Sequence, residues 1–216
     1  MNRTTSSYTW GMAVGAITLL ALALRLTGID GPSFKLWDDF FALRLAVKDV
    51  AEIIHTLAHQ PFDAYQEFQP PLYYILVHSF LGFGHSDEAA RLTCVIAGTL
   101  TIPAMYCLGR RLLDRPTGLV GALLLAVSVY HIEYSQQIRN YAFFLFLCTW
   151  SMNFFAAWLL ERDRRALVWY ALTVAGMLYT SYMSVSVVAS QAAIWFVFFL
   201  PEARRCLLYT SPSPRD

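Results

Sequence analysis

Charge is scarce in this chain. Asp, Glu, Lys and Arg make up 14% of its 216 residues, against about a quarter in an ordinary soluble domain. The 16 basic and 15 acidic side chains leave a net charge of +1. So balanced a set gives no basic face of the kind that binds nucleic acid. Cysteine is also sparse. Cys94, Cys107, Cys148 and Cys206 include no C-x-x-C pair, and the first three sit inside apolar runs. They read as small hydrophobes, with neither a disulfide framework nor a zinc site. A G-x-S-x-G elbow, a Walker phosphate loop and an H-E-x-x-H zinc motif are all missing. What is abundant is apolar: 57% hydrophobic and 15% aromatic residues, gathered in long blocks. Disorder and a coiled coil are excluded on these grounds, and the same values argue against an ordinary soluble enzyme. The chain is an integral membrane protein.

Crossing a hydrocarbon core of roughly 30 Å takes about 20 apolar residues. The blocks predict an all-α, polytopic transmembrane helix bundle with spans near 10–28, 92–112, 119–134, 141–160, 166–182 and 185–200. The block from Ala166 to Leu200 would make a single helix about 50 Å long. It is therefore divided into two spans, with a turn near Ser181 to Ser186. Residues 29–90 form a long non-spanning stretch rich in acids. Within it, Phe40 to Leu57 has helical apolar spacing with charges between, as in an amphipathic helix on the membrane surface. Leu72 to Phe83, opened by Pro70-Pro71, is too short to cross. Arg25 sits near the end of the first span, where it can snorkel to the interface. Ala21-Leu22-Ala23 resembles a cleavage site but lies inside the apolar run, so the first helix is expected to be retained.

Arg3, the group Arg110, Arg111 and Arg115, the group Arg162, Arg164 and Arg165, and the pair Arg204-Arg205 fall on one side of this layout. The positive-inside rule places that side, and the N-terminus, in the cytoplasm of a multi-pass plasma (inner) membrane protein. The 29–90 stretch and the short Glu133–Asn140 loop then face outward. Residues 208–216, LYTSPSPRD, break from the preceding composition and read as a non-native tail. Residues 1–207 are then the N-terminal part of a longer transmembrane domain, and this fragment by itself is expected to be inactive.

Two outward segments carry candidate chemistry. The first places Asp38 and Asp39 just past Trp37. Adjacent carboxylates at the membrane face can serve as a general base toward a hydroxyl, or hold a divalent metal. They equally suit helix capping beside an interfacial Trp. The second reads HIEYSQQIRNYAF and sets Arg139 among Tyr134, Gln137 and Tyr141. An arginine beside tyrosines can clamp a phosphate bidentately, or simply snorkel within an aromatic belt. His55 and His59 lie i, i+4 near Glu52, yet no zinc motif surrounds them. His78, His85 and His131 have no ligand spacing, and Gly82 and Gly84 read as a turn.

In order, the segments are a span, the LWDD loop, an amphipathic helix, QPPLYYILVHSFLGFG, DEAARL, a span, LGRRLLDRPTGLVGALLLAVS and HIEYSQQIRNYAFFL. This order resembles the front half of the membrane-embedded GT-C glycosyltransferases. Within them it is most similar to the protein O-mannosyltransferase-related family (glycosyltransferase family 39, with bacterial lipid A and rhizobial core-sugar transferases). The resemblance runs from about Ala13 to Phe199. It implies transfer of a sugar from a polyprenyl-phosphate-linked donor to a lipid, glycan or protein acceptor on the outer side of the bilayer, usually with inversion. It maps the family's Asp-Glu pair to Asp38-Asp39. It also maps the His of H-P-P-L-Y-Y to Gln69, and Q-E-A-R-x-Y to Gln136 through Tyr141. The T-H-Y pattern becomes Thr180-Ser181-Tyr182. The departures are Asp for Glu at Asp39, Gln for His at Gln69 and Gln for Glu at Gln137. A shifted register, anchored on Trp37, would instead make Asp39 the family's Asp and Phe40 its Glu. The competing readings are a transporter or flippase and a non-catalytic membrane subunit. No nucleic-acid partner and no certain cofactor are expected; a divalent metal is the one possibility.

Overall fold

Polar residues bracket the apolar blocks, and they set where the helices start. Ser86 caps one helix by accepting a hydrogen bond from the Ala89 amide at 3.3 Å, with Asp87 and Glu88 in the first turn. Asp114 accepts from the Thr117 amide at 2.8 Å, and Pro116 follows in the first turn, where its missing N–H costs nothing. Bonds from the Thr117 hydroxyl and amide hold the Asp114 carboxyl below its usual range. Ser128 and Asp163 cap two more helices in the same way. The helix ending at Glu161 stops on Arg162, whose φ of 59° is left-handed.

The structure, a computed structural model, describes residues 3–30, 37–59, 69–82 and 86–209, with side chains over 8–30, 39–59, 69–82 and 86–199. Gly84, His85 and the tail residues 210–216 lie outside that set. The elements are α1 (Arg3–Leu26), α2 (Trp37–Ala46), α3 (Val50–His59), α4 (Leu72–Leu81) and α5 (Asp87–Leu112), then α6 (Arg115–Ala126), α7 (Val129–Tyr134), α8 (Tyr141–Glu161), α9 (Arg164–Leu178) and α10 (Ser184–Tyr209). There is no strand among the described residues. The chain is an all-α membrane bundle.

Among the described residues, three helices are long and apolar enough to cross a membrane: Tyr8–Leu26, Asp87–Leu112 and Tyr141–Glu161. They match the predicted spans 10–28, 92–112 and 141–160. The predicted span 119–134 is not one helix. It is α6 followed by α7, broken at Val127-Ser128, where the Ser128 side chain caps the second piece. The 12 residues of α6 cover only about 18 Å, short of a bilayer core. The predicted amphipathic helix at 40–57 is likewise two helices, α2 and α3, with a turn at residues 47–49. The Ala166 to Leu200 block does divide, at residues 179–183, slightly ahead of the predicted turn.

α5 is the central element and packs on α1, α4, α6 and α8; α9 leans on α8, and α10 rests on both. One apolar core joins α1, α5 and α6 through Ala21, Ile102, Tyr106, Ala122 and Ala126. A second lies under the first loop and gathers Ala46, Ile53, Tyr73, Val77, Cys94 and Ile138. Polar contacts also bridge helices within the bundle. Asn153 donates to the Ala104 carbonyl at 2.8 Å, just past Pro103. Gln191 donates to the Ser151 hydroxyl at 2.7 Å and accepts from the Tyr170 hydroxyl at 3.0 Å, tying α10 to α8 and α9. Such bonds contribute about 1 kcal/mol each between helices in lipid.

α5 and α6 meet backbone to backbone. A Cβ on Gly118 would lie 2.6 Å from the Tyr106 carbonyl oxygen and 2.8 Å from the Arg110 nitrogen. A Cβ on Gly109 would lie 2.7 Å from the Gly118 Cα. Small residues permit this approach, as in other membrane helix pairs. Gly118→Ala must push the two helices apart. We expect it to lower stability by about 1–3 kcal/mol. Thermal unfolding in detergent reads this, and an unchanged transition would show that the hairpin tolerates the added methyl.

Candidate functional site

The segment between α7 and α8, residues 135–140, is almost wholly enclosed. Ser135, Gln136, Gln137, Ile138 and Asn140 are all buried. Enclosed irregular backbone needs internal partners, and side chains of distant segments supply them. The Gln136 amide donates to the carbonyls of Arg25 at 3.1 Å and Thr27 at 2.7 Å. The Asn140 amide donates to Gln69 Oε1 at 3.3 Å and to the Thr180 carbonyl at 3.0 Å. The Leu72 amide donates to the Tyr179 carbonyl at 3.0 Å, which joins the start of α4 to the α9–α10 turn. Gln69, the 135–141 segment and Thr180-Ser181 therefore share one locus, although they are far apart in sequence.

Arg139 is the half-buried member of this segment. Its Nη2 donates to the Tyr141 hydroxyl at 3.4 Å, and its guanidinium carbon lies 5.4 Å from the centre of the Tyr141 ring. Tyr141 in turn meets Tyr134 edge-on, with centroids 5.4 Å apart. Both tyrosines are exposed, at 41% and 43%. The predicted trio of Tyr134, Arg139 and Tyr141 is thus assembled at the surface of the site. Gln137 is not part of that surface. It is 3% exposed, and its Oε1 has no hydrogen-bond partner among the described residues.

Asp39 is connected to this locus from the other side. It is 0% exposed, near the start of α2. It acts electrostatically on both Tyr73 and Cys94. The Cys94 thiol donates to the Arg139 carbonyl at 3.2 Å, and the Tyr73 hydroxyl contacts the Cys94 sulfur at 3.2 Å. Contacts therefore run from Tyr73 through Cys94 to the backbone of Arg139, with the Asp39 charge acting on the first two. Asp38 lies in the first turn of α2, and its side chain is outside the described set. Phe40, the alternative register's Glu position, is 41% exposed.

The metal expectation finds no preformed cage. Among the described residues no three His, Cys, Asp or Glu side chains cluster. His55 and His59 stack on each other, with centroids 4.3 Å apart, on α3. Glu52 pairs with Lys48 at 2.9 Å.

Sequence reasoning missed the supports of the site. Arg25 does not snorkel. It is 0% exposed, and its guanidinium donates to the carbonyls of Ala21 at 2.8 Å and Ala126 at 3.3 Å, to Ser135 Oγ at 3.3 Å and to His131 Nδ1. Four acceptors within reach outweigh the drive toward the interface. Arg91, 1% exposed, donates to the Ile29 carbonyl at 2.7 Å and pins the turn after α1, where Gly28 takes a φ of 80°. His131 showed no ligand spacing, and its role is to accept from Arg25. The one available hint was a lone arginine a turn inside an apolar run in a chain poor in charge.

Burial, and then the Arg25 charge, push the His131 imidazole down to about 4. Since the folded value lies below the unfolded value of about 6.5, the open form takes up the proton first. The contact is at full strength above about pH 6.5 and is lost as the pH falls toward the folded value.

The model of a family described as dolichyl-phosphate-mannose-protein mannosyltransferase matches residues 69–213, about two thirds of the chain. No curated protein and no solved structure matches.

Proposed function

The chain belongs to the dolichyl-phosphate-mannose-protein mannosyltransferase family, and from that premise we propose that it transfers a sugar from a polyprenyl-phosphate donor to an acceptor hydroxyl on the outer side of the membrane. At the coarser level it is a membrane glycosyltransferase of the mannosyltransferase type. The observation that carries the finer reading is the convergence on one locus of Gln69, Arg139, Tyr141 and Thr180, joined to Cys94 and Tyr73, on which the Asp39 charge acts.

In the proposed reaction the acceptor oxygen attacks the anomeric carbon of the sugar. Asp38 or Asp39 takes the hydroxyl proton. The bond between the anomeric carbon and the phosphate oxygen breaks, and its electron pair leaves on the polyprenyl phosphate. Attack opposite the leaving group inverts the anomeric carbon. Arg139, steadied by Tyr141, pairs with the charge that builds on the departing phosphate. Tyr134 and Gln69 border the donor site. None of these steps uses a metal. The basic groups Arg110, Arg111, Arg115, Arg162, Arg164 and Arg165 favour an orientation in which this locus faces outward. The buried cations Arg25 and Arg91 bind backbone carbonyls, which suits a scaffold better than a transport path.

The donor class is tested with the full-length protein in lipid nanodiscs. Polyprenyl-phosphate mannose should support transfer to an acceptor hydroxyl, and the nucleotide sugar should not. Equal use of both donors would remove the lipid-phosphate assignment.

A further inference from the structure

We infer that Arg25 and His131 are positioning residues that set the 135–141 segment, and with it Arg139, for the lipid phosphate. The inference rests on the proposed role of Arg139. Arg25 lies at the end of the first membrane-capable helix and contacts four groups on three elements. These are α1 itself, at the Ala21 carbonyl, the last turn of α6, and α7 with the start of the buried segment. The Ser135 hydroxyl accepts from Arg25 Nε and donates to the His131 carbonyl at 2.5 Å. Gln136 then returns to the Arg25 carbonyl. The far wall is Gly98 of α5, where an added Cβ would overlap the Ser135 side chain and lie 3.3 Å from Arg25 Nε. The cluster thus grips the segment at Ser135 and Gln136, a few residues before Arg139.

Stability alone does not call for a charge at this place. Every acceptor around Arg25 is neutral, and a buried ion without a counter-charge costs more than apolar packing of the same volume. Two further buried groups of the same stretch, His131 Nε2 and Gln137 Oε1, have no hydrogen-bond partner among the described residues. Costly, incompletely satisfied groups gather where geometry serves function. The Arg25 contact also fixes the imidazole. Nδ1 must accept, so the proton sits on Nε2. A second proton would turn the acceptor into a donor and set two cations together. Of the elements packed on α7, namely α1, α5, α6 and α8, α1 alone brings a charged group acting on His131 among the described residues, and it is Arg25. Acid therefore opens the grip from one contact.

The test measures binding of polyprenyl monophosphate to the full-length protein in lipid nanodiscs. His131→Leu removes the acceptor and should weaken binding about tenfold at neutral pH, because the segment is no longer preorganised. His131→Asn supplies an amide oxygen where Nδ1 was and should restore binding. Between about pH 7.5 and about pH 4.5 the wild type should lose more affinity than His131→Asn, whose own loss reports only the titration of the ligand's phosphate. Unfolding temperatures are recorded for each variant. If His131→Leu binds like wild type while Arg139→Gln does not, the positioning role is overturned and the phosphate role of Arg139 stands. If Arg139→Gln also binds like wild type, the phosphate reading falls and the inference with it. Loss of binding in His131→Leu that tracks an equal loss of thermal stability, with no rescue by Asn, would reduce the cluster to a structural brace and overturn the proposal.

Discussion

Replacing Asp38 and Asp39 together by Asn in the full-length protein should cut sugar transfer by about a thousandfold or more, with membrane insertion unchanged. A positioned general base is worth about 10²–10⁴ in rate, and the amide keeps the shape of the carboxylate while losing its basicity. Shape matters at Asp39, which is fully buried near Tyr73 and Cys94. A larger substitute there would disturb the core formed by Ala42, Tyr73, Cys94 and Ile138, and would confuse loss of chemistry with loss of fold. The single variants decide the register. If Asp38→Asn carries the loss, the family pair is Asp38-Asp39. If Asp39→Asn carries it alone, the shifted register is correct and the exposed Phe40 stands at the second acid's position. Transfer is measured with polyprenyl-phosphate mannose, and insertion by membrane fractionation. Wild-type rates in both single variants and the double variant would remove the carboxylates from the mechanism.

The long apolar runs were legible because length alone decides them. α1, α5 and α8 each carry an uninterrupted stretch near the hydrocarbon thickness, and their predicted bounds lie close to the observed ones. The breaks between α6 and α7 and between α2 and α3 were not legible. At Val127-Ser128 no Gly or Pro interrupts the chain, and the apolar run continues into Val129. The break depends on a serine cap and on Arg25 occupying the Ala126 carbonyl, a tertiary contact that periodicity cannot express. The same holds at 47–49, where His78 of α4 bonds the Ala46 carbonyl at the end of α2, at 3.0 Å, and Lys48 in the turn pairs with Glu52 of α3. At the site, Arg139, Tyr141 and Tyr134 could be named because they are neighbours along the chain. Their junction with Gln69 and Thr180 runs through Asn140, a residue with no motif of its own. The supports Arg25 and Cys94 are ordinary residues in apolar surroundings, and Tyr73 and His131, though inside the matched segments, reveal their role only through their contacts.

Arg139→Gln should lower kcat/KM for the lipid donor by about 10²–10³, the effect of removing one preorganised donor from a developing oxyanion. Arg139→Lys should recover little of it. Lysine keeps the charge but loses the planar fork that meets two phosphate oxygens at once. The arrangement around Arg139 argues for the fork. The guanidinium is held against the face and hydroxyl of Tyr141, and its backbone carbonyl is held by Cys94. Both ends of the residue are therefore fixed before donor arrives. Tyr141→Phe removes a hydroxyl contact of 3.4 Å while leaving the ring under the cation. Its loss should stay within about tenfold, the scale of a single weak hydrogen bond. The graded order, with Tyr141→Phe mild and Arg139→Lys nearly as poor as Arg139→Gln, is what steady-state kinetics over a range of donor concentrations would resolve. A lysine variant with wild-type kcat/KM would show that the site needs only a point charge. The bidentate clamp would then have to be abandoned, although the carboxylate half of the mechanism would remain intact.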